Sequence, residues 1–259
     1  MNKDKFSTRV KSFFCGFIPR YINNTVVNSI YSLMGILQRA LNMLSPKTGK
    51  HNISAPHAIS SNQDAYHRHN PEIQAKGGFI ENQHDYSDMS YGKWTMKASG
   101  CGIFAVYNAL SFLTDQSAPP PDLPGLIRIF ESNGMVLNGY GGTAPGAIRK
   151  YLSREGIPNK ATSNARKFDS LAAESRCLIL TLFNDRNDIR RQMHTICVTK
   201  QEAADPSEPV PGSPRISYTA HNVSGNGTVV GPYPTFPELM KHMNGGKSKI
   251  FFMIGINDH

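Results

Sequence analysis

A single cysteine, Cys101, stands between Gly100 and Gly102, directly ahead of a helical pattern. Val106, Ala109, Leu110 and Leu113 recur at helical spacing and mark one buried face. The spacing puts Cys101 at a helix N-terminus. Free backbone N–H groups and the positive end of the helix dipole stabilise a thiolate there. The flanking glycines are expected to leave room for a substrate carbonyl. Taken alone, Gly-Cys-Gly also reads as a buried structural cysteine at a tight turn. A nucleophilic thiol further needs a base, and the base needs an orienting group. Met193 to Thr199 reads as a strand with His194 at its mouth, and Arg215 to Asn222 reads as the next strand. Parity puts Ile216, Tyr218, Ala220 and Asn222 on an inward face, with His221 on the polar face beside Ser217 and Thr219. Asn222 is therefore expected to orient His194, in preference to His221. A bulge near the strand end would reverse that choice.

The order Cys101, His194, Asn222 resembles the papain-like cysteine peptidases, and most closely their compact C39-like branch. Gly139 to Gly156 resembles that branch's second helix, entered through a Gly-rich turn. Cys177 to Phe183 resembles the core strand ahead of the histidine strand. The resemblance covers roughly Tyr91 to the C-terminus. It implies a helix bearing Cys101 packed against an antiparallel sheet bearing His194 and Asn222. It also implies a side-chain oxyanion donor, usually Gln, six residues before the nucleophile. That position is Thr95, with Lys97 or Gln83 as substitutes. A Thr hydroxyl can donate, but it is shorter than Gln.

Other elements fit an α+β domain with helices early and strands late. Leu123 to Ser132 reads as a helix stopped by Gly134. Thr143 is expected to cap the helix ending at Gly156, and Thr235 to cap one beginning at Phe236. Ile250 to Ile256 reads as a central strand.

The four cysteines, Cys15, Cys101, Cys177 and Cys197, make a poor disulfide framework if Cys101 is reactive. A reducing, cytoplasmic compartment is expected, with membrane association through the arm described below left open. A glycan on the acceptor Asn222-Val223-Ser224 would block the site, which argues against a eukaryotic secretory route. Zinc is the competing use of His194, Cys197 and His221. Residues three apart on a strand point to opposite faces, however, and no further ligand pair completes the set. His67 and His69 fall in a polar segment and read as solvated. No cofactor or metal is called for.

Charge is concentrated at one end. Residues 1–50 carry eight Lys and Arg against Asp4, a net +7 of the chain's +9. Within this arm Ile22, Val26, Ile30, Leu33, Leu37, Leu41 and Leu44 form an aliphatic stripe, with Asn23, Asn24, Asn28, Ser32, Gln38 and Asn42 opposite. The amides argue against a membrane span. Three readings stand: an anchor on an anionic membrane surface, aided by Phe13, Phe14, Phe17 and Ile18; a pro-segment across the cleft; or a helix whose stripe docks on the domain. No nucleic-acid module is evident, so nucleic acid is not expected as a partner. Residues 51–85 read as a linker or extended wrap, and residues 86–259 as the catalytic domain. Paired glycines at Gly77-Gly78 invite a second expectation, since C39-like enzymes of the bacteriocin-exporter type cut after such pairs. The combined expectation is a thiol hydrolase cleaving peptides or proteins. Two alternatives remain: a transacylase or amide ligase with the same triad, and a non-catalytic membrane-associated binding protein on a degenerate peptidase fold.

Overall fold

A computed structural model of the chain describes residues 22–44, 56–114, 121–188, 192–202, 215–223, 227 and 229–257. Among them the helices are α1 (Asn24–Leu44), α2 (Pro56–Ala75), α3 (Met96–Ser99), α4 (Cys101–Leu113), α5 (Leu123–Asn133), α6 (Pro145–Arg154), α7 (Phe168–Glu174) and α8 (Phe236–His242). The strands are β1 (Ser90–Tyr91), β2 (Trp94–Thr95), β3 (Asn159–Thr162), β4 (Cys177–Phe183), β5 (Met193–Glu202), β6 (Ile216–His221), β7 (Val230–Tyr233) and β8 (Lys249–Ile256). β1 and β2 form a small hairpin, and the other six make one antiparallel sheet in the order β3-β8-β4-β5-β6-β7. The class is α+β, with helices on both faces of the sheet.

Alternation along the strands builds two cores. Cys177, Ile179 and Phe183 of β4 point toward α4, α2 and α5. Leu178, Leu180 and Leu182 point the other way, toward α7 and α8. Both faces of β4 are thus covered, which is why its sequence is apolar at every position but Thr181. Each such buried side chain contributes about 1.5–3 kcal/mol. β8 lies between β3 and β4, inside the sheet as its composition suggests. Cys177 and Cys197 are free and fully buried, with their sulfurs 3.5 Å apart. Cys15 and the phenylalanines at 13, 14 and 17 lie outside the described residues.

Residues 56–75 are helical rather than an extended wrap. The segment is polar overall, but Ala65, Tyr66 and Ile73 enter the main core, and Pro56 sits at the helix start, where no N–H is needed. Tertiary contact outweighs composition here. Arg68 and His69 are tied to Asp88 rather than freely solvated, and the His69 ring lies 4.4 Å from that of Tyr86. Gly77 and Gly78, at φ 68° and 84°, stop α2 in a turn in which the Gly78 N–H returns to the Ile73 carbonyl.

α1 also differs from its simplest reading. It packs on β8 and α6, but through its polar side: Val27, Tyr31 and Gln38 face the protein. Of the aliphatic stripe, Val26, Ile30, Leu33 and Leu37 point outward, while Ile22 packs against the main core. Thr143 does not cap α6, whose N-cap is Ala144; its hydroxyl meets the Tyr91 hydroxyl instead. Thr235 does cap α8, accepting from the Glu238 N–H at 3.3 Å.

Candidate active site

Cys101 is the first residue of α4, with Gly100 as N-cap. Gly102 is required for packing rather than for substrate access, since a β-carbon there would come within 2.9 Å of the Thr143 side chain. The end of β4 and the starts of β5 and β8 lie side by side, as Phe183 pairs with both Met193 and Lys249. His194 is the second residue of β5, so it stands at this end of the sheet, against the start of α4.

The thiol and the imidazole are bonded. Burial alone would push the Cys101 thiol up. The hydrogen bond and charge of His194, with the N–H groups of Thr195 and Gly102, outweigh burial and hold its pKa below the ordinary thiol value. His194 shifts the other way. Burial would lower it, but the Cys101 sulfur and the Asn222 backbone carbonyl raise it above the ordinary histidine value. Both shifts favour transfer of the thiol proton to the imidazole. His194 Nε2 donates to the Asn222 carbonyl oxygen at 2.6 Å, which leaves Nδ1 for the sulfur.

No protein-family model, curated protein or solved structure matches the chain.

Asn222 therefore meets His194 through its main chain, not its side chain. It lies one residue past β6 with φ 57°, a left-handed conformation that Asn tolerates, so strand parity no longer applies to it. Its side chain is used elsewhere. Oδ1 accepts from the Gln83 N–H at 3.1 Å, and Nδ2 donates to Gln83 Oε1 at 3.3 Å. The Asn222 N–H donates to Glu81 Oε2 at 3.0 Å. Gln83 Nε2 in turn donates to the Lys97 carbonyl on α3. Residues 81–83 thus tie the histidine wall to the cysteine wall.

His221 is not on a solvated face. It is buried, stacked on Phe79 at 4.1 Å, with Nδ1 donating to Glu81 Oε1 at 2.6 Å and Nε2 3.0 Å from the Thr199 hydroxyl. Glu81, itself buried, is the residue that sequence reasoning passed over. Its one signal is an acid placed directly after the apolar pair Phe79-Ile80. Of the expected oxyanion donors, half-buried Thr95 precedes α3 with its hydroxyl making no cap bond, and Lys97 is exposed on α3.

Tyr31 of α1 also belongs here. Burial and the nearby Cys101 sulfur push its phenol up beyond the usual tyrosine range, and its hydroxyl donates to the Gly141 carbonyl at 2.7 Å. Asn24 bonds the Ile250 and Ser163 carbonyls, and Gln38 bonds Asn138. α1 passes beside the thiol between these ties. No cluster of three or more His, Cys, Asp or Glu suited to a metal ion occurs among the described residues.

Proposed function

We propose that the protein is a thiol hydrolase, and specifically a cysteine peptidase that resembles the papain-like, C39-like enzymes. The observation that carries this is the Cys101–His194 pair at a helix start, with opposite pKa shifts and His194 held by the Asn222 carbonyl. The Cys101 sulfur attacks the peptide carbonyl carbon and forms a C–S bond. The resulting oxyanion is held by the Cys101 N–H at the first position of α4, with the Thr95 hydroxyl or the Lys97 ammonium as second donor. His194 passes its proton to the leaving amine as the C–N bond breaks. Water, deprotonated by His194, then attacks the thioester, releases the carboxylate and restores the thiol.

Iodoacetamide is the direct test. Cys101 is expected to label at neutral pH well ahead of Cys177 and Cys197, because its thiol is lowered while burial pushes Cys197 far up. Cys101→Ala is expected to remove both the label and cleavage of a fluorogenic peptide library. Cleavage that survives Cys101→Ala would end the proposal.

The orienting contact makes its own prediction. Asn222→Gly keeps the carbonyl and suits φ 57°, so it is expected to retain activity within about tenfold, even though it gives up the two Gln83 bonds. Asn222→Val also keeps the carbonyl, but a β-branched residue resists that conformation by at least about 1–2 kcal/mol, and it should be the poorer enzyme. If Gly is as damaging as Val in steady-state kinetics, the side chain rather than the carbonyl is what matters.

A further inference from the structure

α1 holds the protein by its polar face, with Asn24, Tyr31 and Gln38 making its bonds at intervals of two helical turns. Its aliphatic face is left outside. Val26, Ile30, Leu33, Ile36 and Leu37 are each between 49% and 60% exposed. A continuous aliphatic stripe facing water marks a surface that something covers.

The surroundings of the stripe indicate what. Gln38 bonds Asn138, whose neighbours Leu137 and Tyr140 are exposed, and the Tyr140 ring lies 5.2 Å from that of exposed Trp94. Trp and Tyr favour the boundary between lipid and water. Cations border the same region. Lys93 is exposed and its N–H bonds the Asn138 carbonyl. Arg149 and Lys150 are exposed one helical turn beyond Gly146, which lies against Ser32 of α1. α1 itself has no acid, and residues 1–50 carry a net +7. Two copies meeting stripe to stripe would bring together two chains in which Lys93, Arg149 and Lys150 border the stripe, which like-charge repulsion opposes. An anionic bilayer matches both the apolar and the charged parts.

We propose that the outward face of α1 is a membrane-surface anchor that lies in the plane of an anionic bilayer. Its polar face stays bonded to the domain, so the domain bearing Cys101 is held at the lipid surface. None of the helices among the described residues is long and apolar enough to cross a membrane, and the contact is along the surface.

The test is sedimentation of the full-length chain with phosphatidylcholine vesicles, with and without phosphatidylglycerol, at low and high salt. Binding is expected to the anionic vesicles, to weaken as salt rises, and to be at least about tenfold weaker to the neutral ones. The double variant Ile30→Asp, Leu33→Asp alters two exposed positions and is expected to lower vesicle affinity about a hundredfold. Its circular dichroism and Cys101 labelling should match wild type. The wild-type comparison across lipids and salt decides the matter even if that variant folds poorly. No binding of wild type to anionic vesicles at low salt overturns the proposal, and so does undiminished binding by a folded double variant. A dimer that these substitutions dissociate, with no vesicle binding, also overturns it in favour of a second copy.

Discussion

Replacing His194 with Ala is expected to lower peptide turnover at neutral pH by about a thousandfold while leaving the fold intact. Two effects combine. The proposed proton acceptor is lost, and so are the hydrogen bond and charge that lower the Cys101 thiol against the pull of burial. The fold survives because His194 stands at the mouth of β5, where its bond to the Asn222 carbonyl is worth about 1 kcal/mol. The pH profile separates the two effects. In the wild type, alkylation of Cys101 rises with pH through its lowered pKa, below the ordinary thiol range. Turnover also needs His194 as acid, so it falls again as pH rises through the raised pKa of the imidazole. In the variant the alkylation limb should move to more alkaline pH. Stopped-flow alkylation and peptide hydrolysis measure both. A variant that keeps more than about a tenth of wild-type turnover would remove His194 from the chemistry.

The second large effect is on stability, at Glu81. Its two carboxylate oxygens accept from the His221 ring and from the Asn222 N–H, and all three residues are buried. Glu81→Ala leaves both donors without that acceptor, which is expected to cost about 2–5 kcal/mol of folding stability in denaturant titration. It also frees the carbonyl that holds His194, so turnover should drop beyond any loss of folded protein. Glu81→Gln retains one oxygen and should be milder on both counts. A Glu81→Ala protein within about 0.5 kcal/mol of wild type would mean the carboxylate is not a structural clamp.

Much of this arrangement is legible in the chain. Cys101 at a helix start, His194 at a strand mouth, β4, β8 and the Thr235 cap all follow from local periodicity and capping chemistry, and local rules carried them. The failures have a common cause in tertiary contact. α2 is helical because three side chains find a core, which its polar composition does not announce. In α1 the pattern tells which face is apolar but not which face meets the protein. At Asn222 the sequence places the residue near His194 but not the atom that meets it. Parity ends with β6 at His221, and the left-handed turn after it hands the orienting task to the main chain. His221 was misjudged for a related reason: a polar-looking strand face is buried when a carboxylate such as Glu81 reaches it from a distant segment.

The carbonyl at residue 222 has an evolutionary consequence. A side-chain group vanishes with a single codon change, whereas every amino acid carries a carbonyl. What drift can damage here is the local turn, through φ 57° and the anchoring of the 222 N–H to Glu81. The pressure on this position is therefore one of shape. Gly, Asp or Asn could alternate there without loss of the imidazole's partner. On the proposed chemistry, a homologue with Gly at this point would keep the imidazole's partner.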